Sequence, residues 1–153
     1  IKNKFKNIKL HMIGKLQTNK VKNAINLFDY IHSLDSLKLA KKISDEQKKN
    51  NKNIKLFIQI NIGNENQKSG ILIEELENFY SVCTRDLNLD IIGLMCLPPI
   101  NEEPTKYFKK MKLLSENISL NNLSMGMSSD YMIALDNGAN FLRIGSQIFG
   151  ARN

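Results

Sequence analysis

Six short apolar runs punctuate the chain, and a stretch with helical spacing of apolar residues lies between each run and the next. Residues 8–13 form the first run and stop at Gly14. Val21, Ala24, Ile25, Leu27 and Phe28 then mark one face of a helix that Thr18 or Asn19 can cap. Residues 30–34 read as a second strand, and Asp35-Ser36 caps a helix with Leu37, Leu39, Ala40 and Ile43 inside. After a polar loop over 48–53 comes the strongest strand signal, residues 54–62, rich in β-branched side chains and ended by Gly63. Ile73, Leu76, Phe79, Tyr80 and Cys83 line the next helix. Residues 91–97 make a fourth strand, stopped by Pro98-Pro99, and Tyr107, Phe108, Met111 and Leu114 a further helix. A fifth strand over 120–127 and a sixth over 141–145 enclose a short helix closed by Gly138.

This alternation contains no hairpin turn. Nearly continuous apolar strands separated by helices predict an α/β fold whose parallel strands are buried on both faces. An open doubly wound sheet and a (β/α) barrel both satisfy that pattern. The first should carry a Gly-x-Gly-x-x-Gly turn after an early strand, and none is present. The glycine-rich turns instead follow the last two strands, where barrels often hold phosphate. If these are strands seven and eight, the chain is a partial (β/α)8 TIM-type barrel with six of the eight β/α units. It then forms one partial domain, residues 1–153, truncated at its N-terminus. The opening at Ile1 amid a polar run fits that expectation.

Composition narrows the class. The length of 153 residues with 42% hydrophobic and 24% charged residues suits one globular domain. No apolar run nears the roughly 18–20 residues of a membrane span, so no membrane association is expected. Cys83 and Cys96 are too few for a disulfide framework or zinc site, which points to the cytoplasm. The net charge is +7, concentrated in residues 1–55, where fourteen Lys face four acids. These lysines lack an arginine or aromatic partner set and read as solvated surface rather than a nucleic-acid site.

Candidate chemistry gathers in the last thirty residues. Ser128 ends the fifth strand, and its hydroxyl and N–H can donate to a phosphate or merely cap a helix starting near Ser129. Gly145-Ser146 follows the adjoining strand and favours the phosphate reading. Gly126 and Gly145 permit close backbone approach to a ligand, or a tight turn. Arg143, mid-strand among apolar residues, needs a partner: an interior carboxylate or a ligand. His11 and His32 sit on strands, where a packed, hydrogen-bonded histidine is the ordinary case. Asn61 is a weaker pocket candidate, and the six Met read as core filler.

Five motifs together resemble one family. They are residues 11–20 (His-Met-Ile-Gly-Lys-Leu-Gln-Thr-Asn-Lys), 59–62 with Glu65, Lys68 and Gly70, and 93–95 with Pro98. The last two are 123–130 (Leu-Ser-Met-Gly-Met-Ser-Ser-Asp) and 142–150 (Leu-Arg-Ile-Gly-Ser-Gln-Ile-Phe-Gly). The chain is similar from about residue 8 onward to the pyridoxal-phosphate homeostasis proteins, whose fold resembles the barrel domain of alanine racemase. That resemblance implies a cytoplasmic barrel, monomeric when full length, that binds pyridoxal 5′-phosphate and stores or delivers it without established turnover. It implies cofactor contacts from Gly126, Met127, Ser128, Arg143, Gly145 and Ser146, with Arg143 facing the pyridine nitrogen. The family's Schiff-base lysine lies on an early strand that is missing here, and Lys15, Lys20 and Lys68 do not occupy its position. The alternative is a racemase or decarboxylase on the same barrel. Such enzymes draw a second acid/base group from a following domain, for which a chain ending eight residues after Gly145 leaves no room.

Overall fold

In a computed structural model, which describes residues 5, 7–65 and 67–150, six strands form one sheet. Part of the polar opening run and residues 151–153 lie outside the described residues. The strands are β1 (His11–Met12), β2 (Tyr30–Leu34), β3 (Lys55–Ile60), β4 (Ile91–Cys96), β5 (Asn122–Met127) and β6 (Phe141–Arg143). They pair in chain order and every pairing is parallel. Between them run α1 (Val21–Leu27), α2 (Leu37–Asn50), α3 (Leu76–Ser81), α4 (Thr105–Asn117) and α5 (Tyr131–Asp136), with α6 (Ser146–Phe149) after β6. This is the α/β, partial-barrel architecture expected.

The sheet has two unlike faces. Leu56, Ile58 and Ile60 of β3, Leu94 of β4 and Leu123 and Met125 of β5 belong to the main apolar core. Leu39, Ala40 and Ile43 of α2 and Phe108 and Met111 of α4 complete it from the helix side. Period-two alternation sends the intervening residues to the other face. Phe57 and Met95 are fully buried there, apart from that cluster, together with His32, Gln59, Ser124 and Arg143. Rings across that face show how far the sheet curls. Phe141 of β6 lies with its centroid 6.1 Å from His11 of β1 and 4.9 Å from Phe57 of β3. Side chains of the first and last strands therefore meet across the interior of a half-barrel.

Element boundaries depart from expectation in two places. Thr18 and Asn19 do not cap α1; residues Thr18–Lys20 form a 3-10 turn, and the Val21 N–H bonds to the Thr18 carbonyl. The tighter turn satisfies the early donor that a cap would have taken. Helix α2 is capped by Ser36, whose Oγ accepts from Leu39 N–H at 3.3 Å, as predicted. It then runs on to Asn50, so Lys48 and Lys49 sit in its last turn, where the helix dipole favours cations. Asn51 ends it in a left-handed conformation at φ 47°. Met127 and Met132 are exposed, so methionine is core filler only at the other positions such as Met95, Met111 and Met125.

Candidate cofactor site

At the carboxyl ends of β5 and β6 the two following loops are tied together: the Gly145 N–H donates to Ser128 Oγ at 3.2 Å. Ser128 is thus not the N-cap serine of its own helix. Helix α5 begins at Tyr131, and its preceding Asp130 turns its carboxylate onto the Met127 N–H at 2.6 Å instead. With Gly145 bound to its lone pair, Ser128 keeps its hydroxyl proton to give elsewhere. At the start of α6 the N–H groups of Ser146 and Gln147 have no acceptor among the described residues, as the first N–H groups of a helix usually do not. A Cβ placed on Gly145 would meet nothing within 4 Å, so the space before this loop is open.

Arg143 lies deeper, 9% exposed, on the inner face. Its Nη1 donates to Ser124 Oγ and its Nη2 to the Cys96 carbonyl, both at 2.8 Å. No carboxylate forms an ion pair with it among the described residues. Burial lowers its pKa from the usual arginine value, opposed by the Cys96 thiol and by Asp130. An interior acid, the plain structural partner, is therefore not what holds it.

Residues 3–153 match the family described as alanine racemase, N-terminal domain. The chain belongs to this family. A pyridoxal phosphate homeostasis protein of Aquifex aeolicus is 39% identical over 151 residues, covering 93% of this chain and 66% of its own. The protein of the same name from Helicobacter pylori is 40% identical over 145 residues, covering 91% and 65%. The chain thus spans just under two thirds of these curated relatives. Among solved structures, PipY of Synechococcus elongatus with pyridoxal phosphate bound superposes with TM-score 0.86 at 29% identity. That match covers 97% of this chain and 74% of PipY. Alanine racemase of Clostridium difficile, at 18% identity and TM-score 0.70 over 95% of this chain and 41% of its own, shares the fold.

Within this alanine racemase-type half-barrel the six predicted residues divide into groups. Ser128, Gly145 and Ser146 form the bridged loop pair, and Arg143 lies on the inner face beneath. Gly126 and Met127 line a neighbouring cavity of about 330 Å³ with Ser129, Lys68 and Pro98. Gly126 is also tightly packed. At φ +90° its added Cβ would stand 2.6 Å from the Ala134 Cβ and 3.1 Å from Leu142. Asn61, a pocket candidate from sequence, spends both side-chain groups on the Glu65 backbone, at 3.1 and 2.9 Å. Lys68 pairs with Glu65 at 2.5 Å and reaches the Pro98 carbonyl at 3.1 Å.

Sequence reasoning passed over Ser124, which is fully buried beneath this site. Its Oγ is also 2.8 Å from His32 Nδ1, and His32 Nε2 is 2.9 Å from His11 Nδ1. A polar residue flanked by apolar ones in a buried strand was the available signal. Burial, then the nearby His11 and Arg143, depress the His32 pKa from 6.5 to about 3. The unfolded chain therefore takes up this proton first as pH falls. The corresponding stability is whole above pH 6.5 and drains away as pH drops toward 3. Unfolding midpoints in urea should fall between about pH 7 and about pH 5, and His32→Phe should flatten that fall. An equally steep fall in the variant would remove His32 as its cause.

Proposed function

We propose that this chain binds pyridoxal 5′-phosphate and serves the intracellular homeostasis of that cofactor, storing or delivering it without turning over a substrate. The observation that carries the reading is Arg143, a buried guanidinium held, among the described residues, by neutral acceptors below a donor-rich loop pair. A cation buried without a carboxylate suits a site completed by an anionic ligand. The names of the relatives and the ligand of PipY support the same choice.

The residues present fit the group. The Ser128 hydroxyl, the Ser146 side chain and the free N–H groups of Ser146 and Gln147 would hold the phosphate, with Gly126 and Met127 at the rim. Arg143 would face the pyridine nitrogen. Having donors only, it keeps that nitrogen unprotonated and so restrains the ring as an electron sink, which supports a carrier over an enzyme. Pyridoxal phosphate supplies an aldehyde and an electron-accepting ring when bound. Lys68 is paired with Glu65 and the Pro98 carbonyl. We read residues 1–153 as one partial barrel domain of a cytoplasmic protein, monomeric when full length and without nucleic-acid or membrane partners. Cys83 and Cys96 are free and buried, and among the described residues no helix is long and apolar enough to cross a membrane.

Titrating the whole chain with pyridoxal 5′-phosphate, followed by absorbance, should show saturable binding that inorganic phosphate competes away. Ser128→Ala should weaken it about tenfold, as expected for one hydrogen bond to an anion. Affinity untouched by that change would remove the loop pair from the site. For the racemase alternative, sustained solvent-deuterium exchange at the Cα of alanine in the presence of cofactor would overturn the carrier reading.

A further inference from the structure

We infer that Ser124 and His32 are positioning residues for Arg143, fixing the direction in which its guanidinium presents its remaining donors. This deepens the proposed site and rests on the reading that Arg143 meets the ring of the cofactor.

The direction of the hydrogen bonds follows from chemistry. Arginine only donates, so Ser124 Oγ must accept from Nη1 at 2.8 Å. Ser124 is completely buried, and among the described residues its own hydroxyl proton has one acceptor in reach, His32 Nδ1 at 2.8 Å. His32 therefore accepts at Nδ1 and carries its proton on Nε2. That proton is given to His11 Nδ1 at 2.9 Å, which leaves the His11 proton on Nε2. Reversing the chain would make Ser124 Oγ accept twice and strand its proton in the interior, a costly arrangement for a buried donor. The path is thus polarised from Arg143 outward to β1, with every step set by the group that cannot accept.

The relay is also held in place. His32 stacks on Phe57 with centroids 4.2 Å apart and planes 20° apart, and meets the edge of Phe141. His11 stacks on Tyr30 at 4.1 Å and 4°. Neither imidazole can turn without breaking a ring contact. At the other Nη, Arg143 is anchored by the Cys96 carbonyl, a main-chain group of β4. Two anchors from two strands, one at each Nη, define the plane of a rigid group. If His32 ceased to take the Ser124 proton, the hydroxyl could swing and one anchor would be lost. A network that served packing alone would stabilise the interior but have no bearing on which ligand the guanidinium meets.

The test separates these roles with the whole chain. Nitrogen-15 NMR of the ligand-free protein should show His32 protonated on Nε2 and the Arg143 N–H signals resolved. In Ser124→Ala and in His32→Phe, which keeps the ring but lacks the acceptor, the guanidinium should rotate and its signals merge. Pyridoxal phosphate affinity should fall about tenfold in both, while inorganic phosphate binds as before. His32→Asn offers an acceptor near the Nδ1 position and should restore both the resolved signals and most of the affinity. Equal losses for pyridoxal phosphate and inorganic phosphate would make the role structural and overturn the inference. If Arg143→Met weakens pyridoxal phosphate binding but Ser124→Ala and His32→Phe do not, positioning fails while the site reading stands. Unchanged affinity in all three would remove the site reading and the inference with it.

Discussion

Replacing Gly93 by alanine is expected to cost the folded protein about 3 kcal/mol or more. A Cβ there would lie 2.2 Å from the Asn122 carbonyl oxygen and 2.7 Å from its Cβ, and backbone cannot swing aside as a flexible side chain can. Gly93 is the register partner of Asn122 where β5 joins β4. Asn122 in turn donates to the Ile92 carbonyl at 2.8 Å, and Asn140 ties residues 121–123 together through three bonds. Relieving the clash means pushing the start of β5 off β4 and breaking this polar clamp. Against a total stability of about 5–15 kcal/mol for a domain, the loss is large. It should appear as a lower urea midpoint at unchanged slope. The consequence reaches the candidate site, because the same strand carries Ser124 to Arg143 and leads directly into Ser128, which meets Gly145. A midpoint within experimental error of the parent would show that β5 is not as tightly seated as the geometry states.

The strand order and its parallel sense were legible because buried parallel strands leave long apolar runs, and β2 was read with its observed ends. The first strand was legible as a run of six residues but pairs over only two, His11 and Met12. Apolar character marks burial, whereas a ladder also needs a partner in register. Ser128, Arg143 and Gly145 could be picked out locally, as polar or flexible residues at strand ends. The Ser124–His32 contact could not, since it joins positions 92 apart in sequence. Only the curl of the sheet brings them together, and periodicity within one strand carries no information about curl. Part of what Gly126 does is hidden from the sequence for a related reason. Its own φ of +90° favours glycine, and Ala134 and Leu142 on neighbouring elements leave no room for a Cβ.

Arg143→Met should weaken pyridoxal phosphate binding about a hundredfold, the scale of a lost hydrogen bond to a charged group, while leaving stability within about 1 kcal/mol. The two halves of that expectation have different origins. In the folded chain the guanidinium is buried with neutral acceptors at Ser124 and Cys96, so its desolvation is only partly offset. Methionine fills much of the same volume with no charge to desolvate, and that gain works against the loss of the Ser124 and Cys96 contacts. A residue selected for stability would not show this balance; a binding residue held at a cost to the fold would. Measuring urea midpoints and ligand affinity on the same variant decides between them. A drop of several kcal/mol in stability with affinity intact would recast Arg143 as an internal brace between β4, β5 and β6. The opposite pattern, affinity lost and stability kept, identifies the guanidinium as the group around which the inner face of the half-barrel is arranged for its ligand.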